Sequence, residues 1–134
     1  MKTVFEKLKL TDQKEILILN EPEGFDKNLN ELKNIEIYES LVQVTKVDFA
    51  VVFVTTVSEL EDQMQTLLLK LKDDALLWIA YPTNLLKTDI NEKYNWKPLT
   101  NNCFETTKSV LINDEWQAIR FRKLEYLKSK KNSV

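Results

Sequence analysis

Histidine is absent from this chain, glycine and cysteine occur once each, and proline occurs three times. Without histidine the chain lacks the commonest general base, the usual activator of a serine or cysteine nucleophile and the commonest metal ligand. Any chemistry would run on carboxylates, lysine, tyrosine or a bound cofactor. A lone Cys103 excludes an internal disulfide, and one thiol is no basis for a metal site. With no activator nearby in sequence it reads as an inert, buried or half-buried thiol. No apolar run approaches the ~20 residues of a membrane span, and the start of the chain has no apolar signal core. The expectation is a cytoplasmic protein with no membrane, metal or nucleic-acid partner. The net charge of -2 gives no global field for binding nucleic acid.

What is present is ample for one α/β domain of 134 residues, with a tail from about 127 to 134. Ile16-Leu17-Ile18-Leu19 reads as a strand buried on both faces. Phe25, Leu29 and Leu32 suggest a short helix over about 23–33, and Ile35–Tyr38 alternates as a second strand. Residues 40–47 fit either a loop or a frayed turn. Phe49–Val54 is a β-branched and aromatic strand. Val57, Leu60, Met64, Leu67, Leu68 and Leu71 then predict an amphipathic helix over 57–72, opened by a Thr56–Glu59 capping box. Ala75–Tyr81, closed by Pro82, completes a strand–helix–strand unit with a right-handed crossover. A further helix is expected over about 90–100, capped by Thr88 or Asp89 with a box to Glu92 and limited by Pro98. Phe104–Ile112 and Trp116–Phe121 flank Asn113-Asp114, which favours a tight type I′ hairpin. Lys108 and Glu36 look like guards on the two sheet edges.

The single glycine stands in Asn20-Glu21-Pro22-Glu23-Gly24-Phe25, the turn leaving the first strand. Open α/β sheets bind ligands at such turns, beyond the strand ends. The turn therefore reads either as a ligand cup or as a tight strand-to-helix connection. Residues 11–40 carry eight acids against three lysines. Glu21, Glu23 and Asp26 already complement the helix N-terminus, which disfavours a phosphate and leaves a cation acceptable. Tyr81 ends a central strand beside the same crevice. Lys87 and Asp89 could hold an anion or act as an acid/base pair, against the plainer helix-cap reading. Arg120 and Arg122 share a face of the last strand with Trp116, and could bind a phosphate or carboxylate or pair with acids of the fold. Trp78 and Trp116 read as core.

Leu19–Phe25, Trp78-Ile79-Ala80-Tyr81-Pro82, Lys87-Thr88-Asp89 and Trp116-x-Ala118-x-Arg120-Phe121-Arg122 carry a resemblance, which covers about residues 15–122. The chain resembles a Rossmann-like methyltransferase domain in miniature, and is similar to a family of small bacterial proteins of unassigned function with this shortened fold. The resemblance implies a three-layer α/β domain with strand order 2-1-3-4-6-5, its last strand antiparallel between its two predecessors. It also implies a crevice for S-adenosylmethionine formed by Asn20, Glu21, Gly24, Phe25, Glu39 and Tyr81. Glu39 follows the second strand, where such folds place the acid that holds ribose hydroxyls. Two features depart from true methyltransferases. Their first turn alternates glycines, and here Pro22 stands among acids. Their Asn/Asp-Pro-Pro-aromatic tetrapeptide is absent, the corresponding strand ending Phe53-Val54-Thr55-Thr56. The departures favour a non-catalytic module that binds no cofactor and works through contacts with a protein partner. The alternative is an S-adenosylmethionine-binding protein or methyltransferase using the crevice near Gly24.

Overall fold

A computed structural model describes residues 3–91 and 93–127. In chain order the elements are α1 (Val4–Lys7), β1 (Glu15–Leu19), α2 (Asp26–Leu29), β2 (Glu36–Tyr38), β3 (Val47–Phe53), α3 (Val57–Leu67), β4 (Leu71–Pro82), α4 (Lys97–Thr100), β5 (Phe104–Leu111) and β6 (Trp116–Lys123). One six-stranded sheet runs in the order β2-β1-β3-β4-β6-β5, as the resemblance implies. The first four strands pair in parallel, and β6 runs antiparallel to both β4 and β5. Glu36 and Lys108 lie exposed on the two edge strands, where they oppose edge-to-edge pairing.

The apolar runs of β1, β3 and β4 explain the layering. Alternate residues point to opposite faces, so each strand feeds two cores. Leu17, Leu19, Ala50, Val52, Leu77 and Ile79 pack with α3 and α4 through Leu60, Met64, Leu67 and Leu99. Ile16, Ile18, Phe49, Val51, Phe53 and Trp78 pack with Phe5 of α1, Leu8 and Phe25. Trp78 is wholly buried, and its indole N–H donates to Leu8 O at 2.9 Å, pinning the N-terminal segment to the central strand. Trp116 is partly buried and packs edge-on against Phe53, so both tryptophans serve the core.

The helices are shorter than the periodicity predicts. The helix expected over 23–33 is reduced to the four residues of α2. The one expected over 57–72 ends at Leu67. A 3-10 turn over Leu68–Lys70 follows, and Leu71 already pairs with Val47. There Lys70 Nζ donates to Leu41 O and Val44 O, holding the chain in place for the strand. The helix expected over 90–100 is only α4, with Pro98 in its first turn, where a missing N–H costs nothing. Its proposed caps serve another helix. Asp89 accepts from Val57 N at 2.8 Å at the start of α3, while Thr88 donates to Thr55 O and accepts from Ile90 N. Glu92 and residues 128–134 lie outside the described residues. The hairpin is also looser than a two-residue turn. Ile112 N donates to Trp116 O, and Asn113 Oδ1 accepts from both Glu115 N and Trp116 N. Cys103 is exposed, contrary to the buried expectation, because it follows α4 with φ 67° ahead of the edge strand.

The capping box at α3 forms as predicted. Thr56 Oγ1 accepts from Glu59 N at 3.0 Å, and Glu59 Oε1 accepts from Thr56 N at 3.1 Å. Glu59 Oε1 also accepts from Thr55 Oγ1 at 2.6 Å, and that bond above all lowers the Glu59 pKa.

Candidate functional site

Parallel pairing places the ends of β1 and β2 side by side, with Leu17 level with Tyr38. The turn after β1 and the residue after β2 therefore emerge together. Between them lies a cleft of ≈ 490 Å³, which Glu21, Gly24 and Glu39 line with Pro22 and Ile37. That volume is within the usual range for small-ligand sites.

The turn has a clear local cause. Asn20 leaves β1 with φ 60°, and Phe25 N then donates to Pro22 O at 3.1 Å, closing a four-residue turn. Gly24 is the third residue of that turn with φ +92°, the positive value a type II turn demands there. A Cβ at Gly24 would meet no atom within 4 Å. The glycine is needed for the backbone angle, and the space above it is open.

Glu21 and Glu39 form the electrostatic centre of the cleft. Glu21 Oε2 is buried with no hydrogen-bond partner among the described residues, and its neighbour is the Glu39 carboxyl. Burial, and then the neighbouring Glu39 carboxyl, push the Glu21 pKa from 4.5 to about 7. Burial and the adjacent carboxyl both disfavour a charge on Glu21, so Glu21 keeps its proton up to about pH 7. Glu23 and Asp26 also line the cleft, and among the described residues no lysine or arginine does. The field repels phosphate and attracts a cation.

The other sequence-predicted residues are distributed elsewhere. The Phe25 ring is buried against Phe5 and Phe53, with the Phe53 centroid 5.0 Å away, so its side chain belongs to the core. Asn20 is exposed at the head of the turn. Tyr81 lies over the opposite core, edge-on to Trp96 at 5.6 Å, and burial raises its pKa. Lys87 lines a separate cleft of ≈ 330 Å³ with Thr55, Thr83, Asn84 and Trp116, beyond the ends of β3 and β4. Asp89 is committed to α3, so Lys87 and Asp89 form no ion pair among the described residues. Arg120 sits in mid-strand opposite Trp78, half-buried, and burial lowers its pKa. Arg122 grips Asp74 through two bonds of 2.7 and 2.6 Å near the other end of β4. The two arginines thus do not join the cleft. Ile37, Leu29 and Asn30 were not expected as lining residues, and their only sequence signal is position, in or beside the elements that flank the turn.

No family model matches the sequence, and no curated protein matches it. Solved structures do. The chain is similar to the ribosomal protein L11 methylase of Lactobacillus delbrueckii subsp. bulgaricus, at TM-score 0.56 and 14% identity over 90% of this chain and 76% of that one. It is similar to the N-methyltransferase NodS of Bradyrhizobium japonicum, at TM-score 0.56 and 10% identity over 88% and 91%. It is also similar to phosphoethanolamine N-methyltransferase 2 of Haemonchus contortus in complex with S-adenosyl-L-methionine, at TM-score 0.58 and 15% identity. That match covers 90% of this chain and 37% of the longer enzyme. At these identities the likeness is one of fold: the chain has the Rossmann-like methyltransferase fold.

Proposed function

We propose that the protein binds S-adenosylmethionine in the cleft between the turn after β1 and the end of β2, and is a reduced methyltransferase. The observation that carries the reading is the cleft itself. It lies beyond the C-terminal ends of parallel strands, is open above Gly24, and is ringed by Glu21, Glu23, Asp26 and Glu39 with no basic residue among the described ones. S-adenosylmethionine has a cationic sulfur and amine and no phosphate, which fits that field. Glu39 would accept the ribose hydroxyls, and Ile37 and Leu29 offer an apolar surface for the base. The Lys87 cleft, beyond the ends of β3 and β4, is the natural seat of a methyl acceptor. Solved neighbours of the same fold include one with this cofactor bound, which supports cofactor binding over a module that works only through contacts.

Calorimetry with S-adenosylmethionine and S-adenosylhomocysteine tests the reading. Saturable micromolar binding is expected, weaker for the uncharged sulfide, and lost in Glu39→Ala and Gly24→Val. Absence of heat with either ligand up to millimolar concentration would exclude it.

A further inference from the structure

We propose that the cleft around Gly24 is proton-gated: a positively charged ligand binds there tightly once the Glu21 carboxyl has released its proton, and several-fold more weakly while Glu21 holds it. The inference rests on the cofactor reading of that cleft and adds how the site is regulated.

Three observations carry it. The first is position. Glu21, in the turn after β1, and Glu39, just after β2, line the same cleft of ≈ 490 Å³, and the space above Gly24 is open. The second is the state of Glu21. Its Oε2 is buried with no hydrogen-bond partner among the described residues, and the neighbouring group is another carboxyl. A carboxylate charge there is uncompensated, since desolvation and Glu39 both work against it. Glu21 therefore sheds its proton near pH 7, where an ordinary surface carboxyl is already ionised. The third is the surrounding charge. The ionisable groups that share the cleft with Glu21 are Glu39 beyond β2, Glu23 of the turn and Asp26 of α2. All are acids, and among the described residues no lysine or arginine lines the cleft. With no basic side chain there to compensate Glu21, the ligand supplies the positive charge. The coupling needs no contact with the shielded oxygen, because it acts through charge. A sulfonium or ammonium in the cleft stabilises the carboxylate, and by reciprocity the carboxylate strengthens binding of the cation. An opposite charge nearby lowers a carboxyl pKa by about 1–3 units, and the solvent in an open cleft screens the effect to the lower limit. A displacement of about one unit is about tenfold in affinity between the two protonation states.

S-adenosylmethionine is the probe, titrated by calorimetry into wild type and Glu21→Gln at about pH 5.5 and about pH 8. The glutamine stands in for the protonated acid. Wild-type affinity should rise about five- to tenfold more than that of the variant across this interval. Any change that Glu21→Gln retains belongs to the ligand's own amine, so the difference between the two profiles is the readout. Carboxyl-carbon NMR of Glu21 in the wild type gives a second readout. Its midpoint should lie at about pH 7 in the free protein and about one unit lower at saturating cofactor. Parallel affinity profiles for wild type and Glu21→Gln would overturn the proposal, as would a Glu21 midpoint that the cofactor does not move. Either result with saturable binding intact leaves the cofactor reading standing. Absence of binding at about pH 8 overturns that reading and this inference with it.

Discussion

Replacing Glu21 by glutamine removes the proton that Glu21 holds, and changes how stability depends on pH. The Glu21 pKa rises from 4.5 to about 7 in the folded protein, chiefly through burial and then through Glu39. The sign follows from linkage. Below about 4.5 the carboxyl is protonated in both states and contributes no pH dependence. Between 4.5 and about 7 the folded protein retains a proton that the unfolded chain releases, so stability falls as pH rises. Above 7 the whole penalty is present. For a sealed group this displacement would cost roughly 3 kcal/mol, at about 1.36 kcal/mol per pKa unit. Glu21 is only partly buried, and solvent screening reduces the figure to about 1 kcal/mol. Urea unfolding of wild type and Glu21→Gln at about pH 5 and about pH 8 measures it. Wild type should lose about 1 kcal/mol more than the variant over that interval. Glu39→Gln should remove a smaller share, since burial is the larger cause. Parallel pH profiles for wild type and Glu21→Gln would refute the raised Glu21 pKa.

Gly24→Ala should cost about 1–2 kcal/mol, read by urea unfolding, because φ +92° strains any side chain although the space around it is open. A neutral result would mean that the turn is not held at that angle. Thr56→Ala should cost about 1 kcal/mol by removing the acceptor for Glu59 N at the start of α3. Asp89→Ala removes the acceptor for Val57 N, the first N–H of the same helix, and should cost about 0.5–1 kcal/mol in the same assay. Trp78→Phe should cost about 2–3 kcal/mol, combining a cavity with the orphaned Leu8 carbonyl, and should increase amide exchange in residues 4–10.

Much of the fold was legible because its signals are local. Short apolar runs bounded by polar turns mark β1, β3 and β4, since a strand buried on both faces can carry little else. The Thr56–Glu59 box is a four-residue motif and forms as written. Helix lengths were overestimated for a physical reason. The apolar spacing from Val57 to Leu71 suits a helix throughout, yet pairing of Leu71 with Val47 captures its last residue for the sheet. Segments 23–33 and 90–100 also contain helical spacing, but four-residue turns already bury Leu99 and place Leu29 against the core.

The sequence alone excluded histidine chemistry and marked the strands, and the resemblance to the methyltransferase fold supplied their order. The absence of histidine, the acid-rich turn with one glycine and the parallel units ending in a hairpin are all readable along the chain. Only the tertiary structure decided which residues meet. Glu21 and Glu39 are neighbours because β1 and β2 pair in parallel, so that one end of the sheet gathers both. Asp89 caps a helix that begins 32 residues earlier in the chain. The Tyr94 hydroxyl is buried with no hydrogen-bond partner among the described residues. Charge, propensity and capping act over a few residues and leave a trace in sequence. A raised carboxyl pKa and an orphaned hydroxyl arise from segments distant in the chain, and exist only once the sheet has brought those segments together.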